Sequence, residues 1–175
     1  MYGRLLAKHP LATKSGTSAG LVGLGDLLSQ GVEMWSRGKA QVPDKKRVGT
    51  MALFGGMYLG PVLHCWYSLV LARCFPAAGF LTVLKKTLLD QTFFATFCSC
   101  SFFIGLTLLN GGSLEQGQAK VRRYLWPTLI ANWSIWPAVQ VVNFALIPVP
   151  YQVLVVNFVA VFWNAYLSYV QFTKK

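Results

Sequence analysis

Three stretches of the chain carry no Asp, Glu, Lys or Arg: Val48 to Ala72, Gln91 to Leu114, and Tyr124 to Thr173. Crossing the hydrocarbon layer of a bilayer takes about 20 apolar residues. The first two stretches each hold one span. The third has room for two, with Pro148 and Pro150 as the break between them, because proline cannot continue a helix through its ring and missing N–H. A further candidate, Ser15 to Trp35, is interrupted by Asp26 and Glu33. These runs do not alternate apolar and polar positions as barrel strands would. The pattern predicts an all-α fold, a polytopic transmembrane helical bundle with four to five spanning helices. Hydrophobic helices are placed at 15–36, 48–73, 81–110, 125–147 and 151–172, after a basic amphipathic N-terminus over 1–14. A second short amphipathic segment, Ser113 to Arg123, precedes the fourth helix. Gly60-Pro61 predicts a break or bend in the second helix, and Gly111-Gly112 ends the third.

Composition narrows the class. At 175 residues the chain is read as a single transmembrane helical domain, and only 12% of its residues are charged against 54% hydrophobic. Soluble domains carry about twice that charge, so a soluble enzyme is excluded. The formal charge of +11 comes from Lys and Arg in short segments between apolar runs, including Arg4, Lys8 and Lys14. Such segments anchor a protein on anionic lipid; nothing in them resembles a nucleic-acid-reading motif. The partner implied is the lipid bilayer, with no nucleic acid and with homo-oligomerisation left open. Counting basic residues on either side balances for four spans and leans only weakly for five, so orientation stays open. The basic, acid-free run before Asp26 suits mitochondrial import. Cys98 and Cys100 point about 200° apart on a helix and cannot pair on a metal. No metal or cofactor site is expected; the cysteines read as buried small hydrophobes, with a redox pair between helices as the minority reading.

The candidate chemistry is polar groups inside apolar helices. A carboxylate there costs at least ~2.5 kcal/mol, so Asp26 and Asp90 face protein or water. Gln30 stands one turn beyond Asp26 and can donate to it; Lys86 stands one turn before Asp90 as its plausible partner. His64 lies midway along the second helix. Asn132, Gln140 and Asn143 share an arc of roughly 80° on the fourth helix, and Asn157, Asn164 and Ser168 share a face of the fifth. Uncharged amides can bind helices together or line a wet path. Gly16 with Gly20, and Gly56 with Gly60, form small-xxx-small pairs that suit close helix packing. No nucleophile, base and orienting group assemble into a catalytic site. Three readings stay open: a small, gated, poorly selective pore for small hydrophilic solutes lined by these residues, a non-conducting interaction subunit, and a membrane enzyme. In the first, Asp26 and Asp90 would favour cations and, with His64, respond to pH.

Motifs across nearly the whole chain carry a resemblance. They are Gly25-Asp26-x-x-x-Gln30, Gly60-Pro61-x-x-His64-x-Trp66-Tyr67, Leu89-Asp90-Gln91, Trp136-Pro137-x-x-Gln140-x-x-Asn143-Phe144, and Trp163-Asn164-x-Tyr166-Leu167-Ser168. In this order they resemble the Mpv-seventeen family of small organellar membrane proteins, which includes the peroxisomal membrane protein of twenty-two kilodaltons. Gln152 stands where that family usually has arginine. The resemblance implies a multi-helix protein of the mitochondrial inner membrane, or of the peroxisomal membrane in some members. It also implies weakly selective channel activity, linked to metabolite balance, membrane potential and mitochondrial DNA maintenance.

Overall fold

Proline and glycine set the punctuation of a chain whose apolar runs are otherwise unbroken. In a computed structural model describing residues 2–36 and 42–173, with the side chains of Ser36 and of residues 168–173 outside the description, every regular element is helical. The helices are α1 (Tyr2–Lys8), α2 (Pro10–Ser36), α3 (Lys45–Cys74), α4 (Phe80–Leu109), α5 (Leu114–Leu146) and α6 (Val149–Thr173). Four of them, α3 to α6, are long and apolar enough to cross a membrane. The helix surfaces are inverted relative to a soluble domain. Leu88, Phe93, Ile130, Phe158 and Phe162 are exposed, while Asp26, Asp90, Gln140, Asn143 and Asn157 are buried. Hydrocarbon makes that arrangement favourable, since polar groups then find partners inside the protein.

The helix boundaries follow local chemistry. Asp44 opens α3 by accepting from the amides of Lys46 and Arg47, and α4 ends at Asn110 before Gly111 at φ 80°. The break at Ile147-Pro148 separates α5 from α6, as the proline spacing predicts. One expectation differs. The amphipathic segment 113–123 is not separate from the fourth helix. Ser113 and Gln116 form a capping box that starts α5 at Leu114, and the helix runs on through Pro127 and Pro137. At Gly60-Pro61, where a break or bend is expected, α3 is continuous but irregular. Pro61 withholds one amide, and the helix accommodates this by widening into π-helical turns at Gly55–Leu59 and Cys65–Leu71 around it. A third π-helical turn lies in α4 at Asp90–Phe94.

The chain divides into two compact units: Met1–His64 with Val153–Lys175, and Cys65–Gln152. In the first, α2 packs on α3 where side chains are smallest. A Cβ on Gly55 would stand 2.8 Å from the Ser18 carbonyl, and one on Gly60 2.7 Å from the Ser15 Cα. Along α6, Asn157 Nδ2 donates to Ser18 Oγ at 2.8 Å, and a Cβ on Gly25 would meet the Val161 carbonyl at 2.7 Å. Residues 18 and 25 of α2 therefore face 157 and 161 of α6, so these helices run parallel. In the second unit, α4 and α5 pack around Phe94, Phe103, Leu106 and Leu129, closed by Trp66, Tyr67 and Leu71 of α3.

Candidate functional site

The centre of the second unit is a polar seam in an apolar surround. On α5, Thr128, Asn132, Trp136, Gln140 and Asn143 are all buried. Their spacing of three or four residues makes one stripe, about 22 Å long at 1.5 Å per residue. Facing it on α4 are Thr87, Asp90 and Gln91, also buried. The π-helical turn beginning at Asp90 helps turn two consecutive side chains inward, and the corresponding turn in α3 does so for Trp66 and Tyr67.

Hydrogen bonds order the seam around one carboxylate. Trp66 Nε1 donates to Asp90 Oδ1 at 2.8 Å. Gln91 Nε2 and Gln140 Nε2 donate to Oδ2 at 2.8 and 2.9 Å. Behind them Asn132 donates to Gln91 Oε1 at 2.8 Å, and Asn143 donates to Gln140 Oε1 at 3.1 Å. Gln140 also donates to the Tyr67 hydroxyl at 2.7 Å. Every amide thus turns an N–H toward Asp90, and bonds aligned this way polarise one another. Trp133 Nε1 donates to the Gln91 backbone carbonyl at 3.1 Å. Lys86, expected to pair with Asp90, stays half-exposed, and neutral donors hold the carboxylate instead. Thr87 Oγ1, Thr128 Oγ1 and Asn143 Oδ1 are buried in the seam without a hydrogen-bond partner. In hydrocarbon such an atom is costly unless water reaches it.

A second polar cluster joins α2 to the start of α3. Asp26, fully buried, accepts from Gln30 Nε2 at 2.8 Å, as their i, i+4 spacing predicts. It also accepts from Arg47 Nε at 2.8 Å, and the same guanidinium forks onto Glu33 at 2.8 and 3.1 Å. Gln30 Oε1 accepts the Asp44 amide at 2.6 Å. The cluster straps the α3 N-terminus to α2, with a cation compensating the acid. His64 has a comparable partner: Lys14 Nζ, on α2, lies 3.1 Å from its Nδ1. Lys14 is therefore not the surface anchor its basic neighbours suggest; it is buried, with its ammonium turned inward.

The amides of α6 belong to the first unit. Asn157 bonds Ser18, and Asn164 packs beside Gly25; the Ser168 side chain lies outside the described residues. Gly56 and Gly60 press on Ala19 and Ser15, whereas Gly16 and Gly20 have nothing within 4 Å of a would-be Cβ. The α2–α3 seam uses residues 15, 18, 19 and 22, which leaves the Gly16–Gly20 face turned away. Gln152 donates to the Ile147 carbonyl at 3.0 Å and so caps the end of α5, a task for which an amide suffices. Sequence reading missed Arg47 as the partner of Asp26, Tyr67 and Trp66 as members of the seam, and Thr87 and Thr128. A stripe drawn at 100° per residue through Asn132 passes through Thr128, which is where that signal lay.

Comparison with known proteins adds the following. The model of the Mpv17 / PMP22 family matches residues 107–168, which include the end of α4, all of α5 and most of α6. The mitochondrial inner membrane protein Mpv17 of Xenopus laevis is 42% identical over 169 residues, 96% of this chain and 93% of that protein. That of Homo sapiens is likewise 42% identical, over 96% of this chain and 94% of its own length. Protein SYM1 of Gibberella zeae is 37% identical over 170 residues, 97% of this chain and 94% of that one. No solved structure matches the chain.

Proposed function

Because the chain belongs to the Mpv17 / PMP22 family and is a protein of the mitochondrial inner membrane, we propose that it is a gated, weakly selective channel for small hydrophilic solutes or ions. By the family resemblance, this activity would support metabolite balance and mitochondrial DNA maintenance. The observation that carries the reading is the seam of the second unit, where polar side chains follow α5 for most of a bilayer's hydrocarbon depth. Glue between two helices needs only paired groups, whereas the buried oxygens Thr87 Oγ1, Thr128 Oγ1 and Asn143 Oδ1 meet no donor among the described residues. A wet path would satisfy them.

On this reading the conformation described is the closed one. Trp66 stacks on Phe94 with centroids 4.5 Å apart, and Phe103 and Leu106 are fully buried beside the seam. Opening needs the aromatic side to move, and the two π-helical turns that carry Trp66, Tyr67, Asp90 and Gln91 are where α3 and α4 are already off their regular register. Relaxing one π-helical turn to α-helix would rotate the segment beyond it by about 100°.

The same dense packing favours the rival, a non-conducting interaction subunit whose seam only holds helices together. Liposomes carrying the purified full-length protein and an entrapped small sugar separate the two. The channel reading expects release above that of empty liposomes, and less release from Gln140→Leu, which keeps volume but loses its polar bonds. Equal release from protein-containing and empty liposomes would favour the interaction subunit.

A further inference from the structure

The depth of the outer charges on α4 and α5 follows from how these two helices are aligned. A Cβ on Gly117 would stand 3.0 Å from the Ile104 Cα, and Asn132 Nδ2 donates to Gln91 Oε1 at 2.8 Å. The helices are therefore antiparallel, with 104 level with 117 and 91 level with 132. Lys86 lies five residues from Gln91 toward one end, and Arg123 nine residues from Asn132 toward the other. At 1.5 Å per residue the two basic levels are about 21 Å apart. Between them α4 and α5 carry one charge, the buried Asp90. The hydrocarbon of an ordinary bilayer is about 30 Å thick. α5 alone is charge-free for long enough to cross it, from Tyr124 to Leu146, so the lysines of α4 set the shorter height.

Side-chain reach closes only part of the gap. Lys85 is exposed among Leu81, Leu84 and Leu88, which are exposed as well, and so meets lipid. A lysine stem carries its ammonium outward by about one helical turn. At the other end Arg122 and Arg123 are exposed. The Arg123 guanidinium lies 5.3 Å from the centroid of the Tyr124 ring, and Tyr124 is the first residue of the apolar run and buried. That cation is held at the edge of the run instead of extending away from it. An apolar height that remains short is met by thinning the lipid around it. Thinning also suits the polar stripe of α5, whose length of about 22 Å equals the distance between the basic levels.

We propose that the second unit thins the bilayer around α4 and α5, drawing phospholipid headgroups inward to Lys85 and Lys86 at one end and to Arg122 and Arg123 at the other. The test is quenching of tryptophan fluorescence in the full-length protein. It is reconstituted in phosphatidylcholines of fourteen to twenty-two carbons per chain, each mixed with a brominated eighteen-carbon reference. Trp126 and Trp133, exposed on α5, report which lipid stands against the second unit. Fourteen- and sixteen-carbon lipids should displace the reference about threefold better than twenty-carbon lipid. Lys85→Leu with Lys86→Leu raises the apolar height of α4 and should move the optimum to eighteen carbons or more. Lys85→Arg with Lys86→Arg should leave it in place. Arg122→Leu with Arg123→Leu should lengthen the optimum from the other end, and circular dichroism should show unchanged helix content in every variant. A wild-type optimum at eighteen carbons or longer would overturn the proposal, because the lysines would then snorkel through an undistorted bilayer. So would an optimum that neither leucine variant moves. Quenching reads lipid contact whether or not solute passes, so either result leaves the channel reading to its own liposome test.

Discussion

Arg47 reaches Asp26 and Glu33 at once, with only 11% of its side chain exposed. Removing one partner of a buried pair leaves the other charge uncompensated, at a cost of about 3 kcal/mol. Arg47→Met should lower unfolding stability in detergent by that order. Asp26→Asn added to it should recover part of the loss, because both variants act on one interaction; strictly additive losses would contradict the pairing. At Asp90 the partners are neutral, so the expected effect is smaller. Trp66→Phe keeps the stack on Phe94 and removes one hydrogen bond, which within membranes is worth about 0.6 kcal/mol and at most ~1.7. A larger loss in the same unfolding measurement would mean that the indole also supports the packing. At this scale the bond from Gln30 to Asp26 was legible, since a helix places i and i+4 on one face. Arg47 was not, because a pair 21 residues apart needs the crossing of α2 and α3 to be known. Lys14 and His64 met in the same way.

Glycines of one helix make the clearest test at the scale of elements. A Cβ at Gly25 would stand 2.7 Å from both the Asn164 Cβ and the Val161 carbonyl. Gly25→Val should therefore force α2 and α6 apart and cost about 1–3 kcal/mol. Gly16→Ala, facing open space, should instead stabilise by up to about 1 kcal/mol through helix propensity. Unfolding transitions that move the same way for both would contradict the α2–α6 contact. Ser113→Ala should cost about 1 kcal/mol and raise hydrogen exchange over the first turns of α5. The positions of α3 to α6 were legible from charge-free runs, and the proline break between α5 and α6 was as well. The early start of α5 was not, because Glu115, Lys120, Arg122 and Arg123 made its first turns read as a separate surface segment. The three π-helical turns leave no mark on hydrophobic periodicity. Two of them show in the structure as consecutive inward residues, Trp66-Tyr67 and Asp90-Gln91.

For the molecule as a whole, hydropathy marks four spans, whereas packing places α2 parallel to α6. Asp26 and Lys14 lower the hydropathy of α2, yet both are buried and partnered within the protein. If α2 crosses with α6, the start of α2 and the end of α6 lie on opposite faces of the inner membrane. Terminal tags probed by protease in mitoplasts should then be cut one at a time from opposite sides; cutting of both from one side would remove α2 from the spanning set. The central claim, a water-accessible path along α5, is tested by planar-bilayer recording from cysteine-free protein carrying Asn132→Cys or, on the exposed face, Val142→Cys. The account predicts unitary currents that a charged thiol reagent reduces in the Asn132→Cys channel and leaves unchanged in the Val142→Cys channel. Absence of unitary currents from folded protein, or equal insensitivity of both variants, would contradict it.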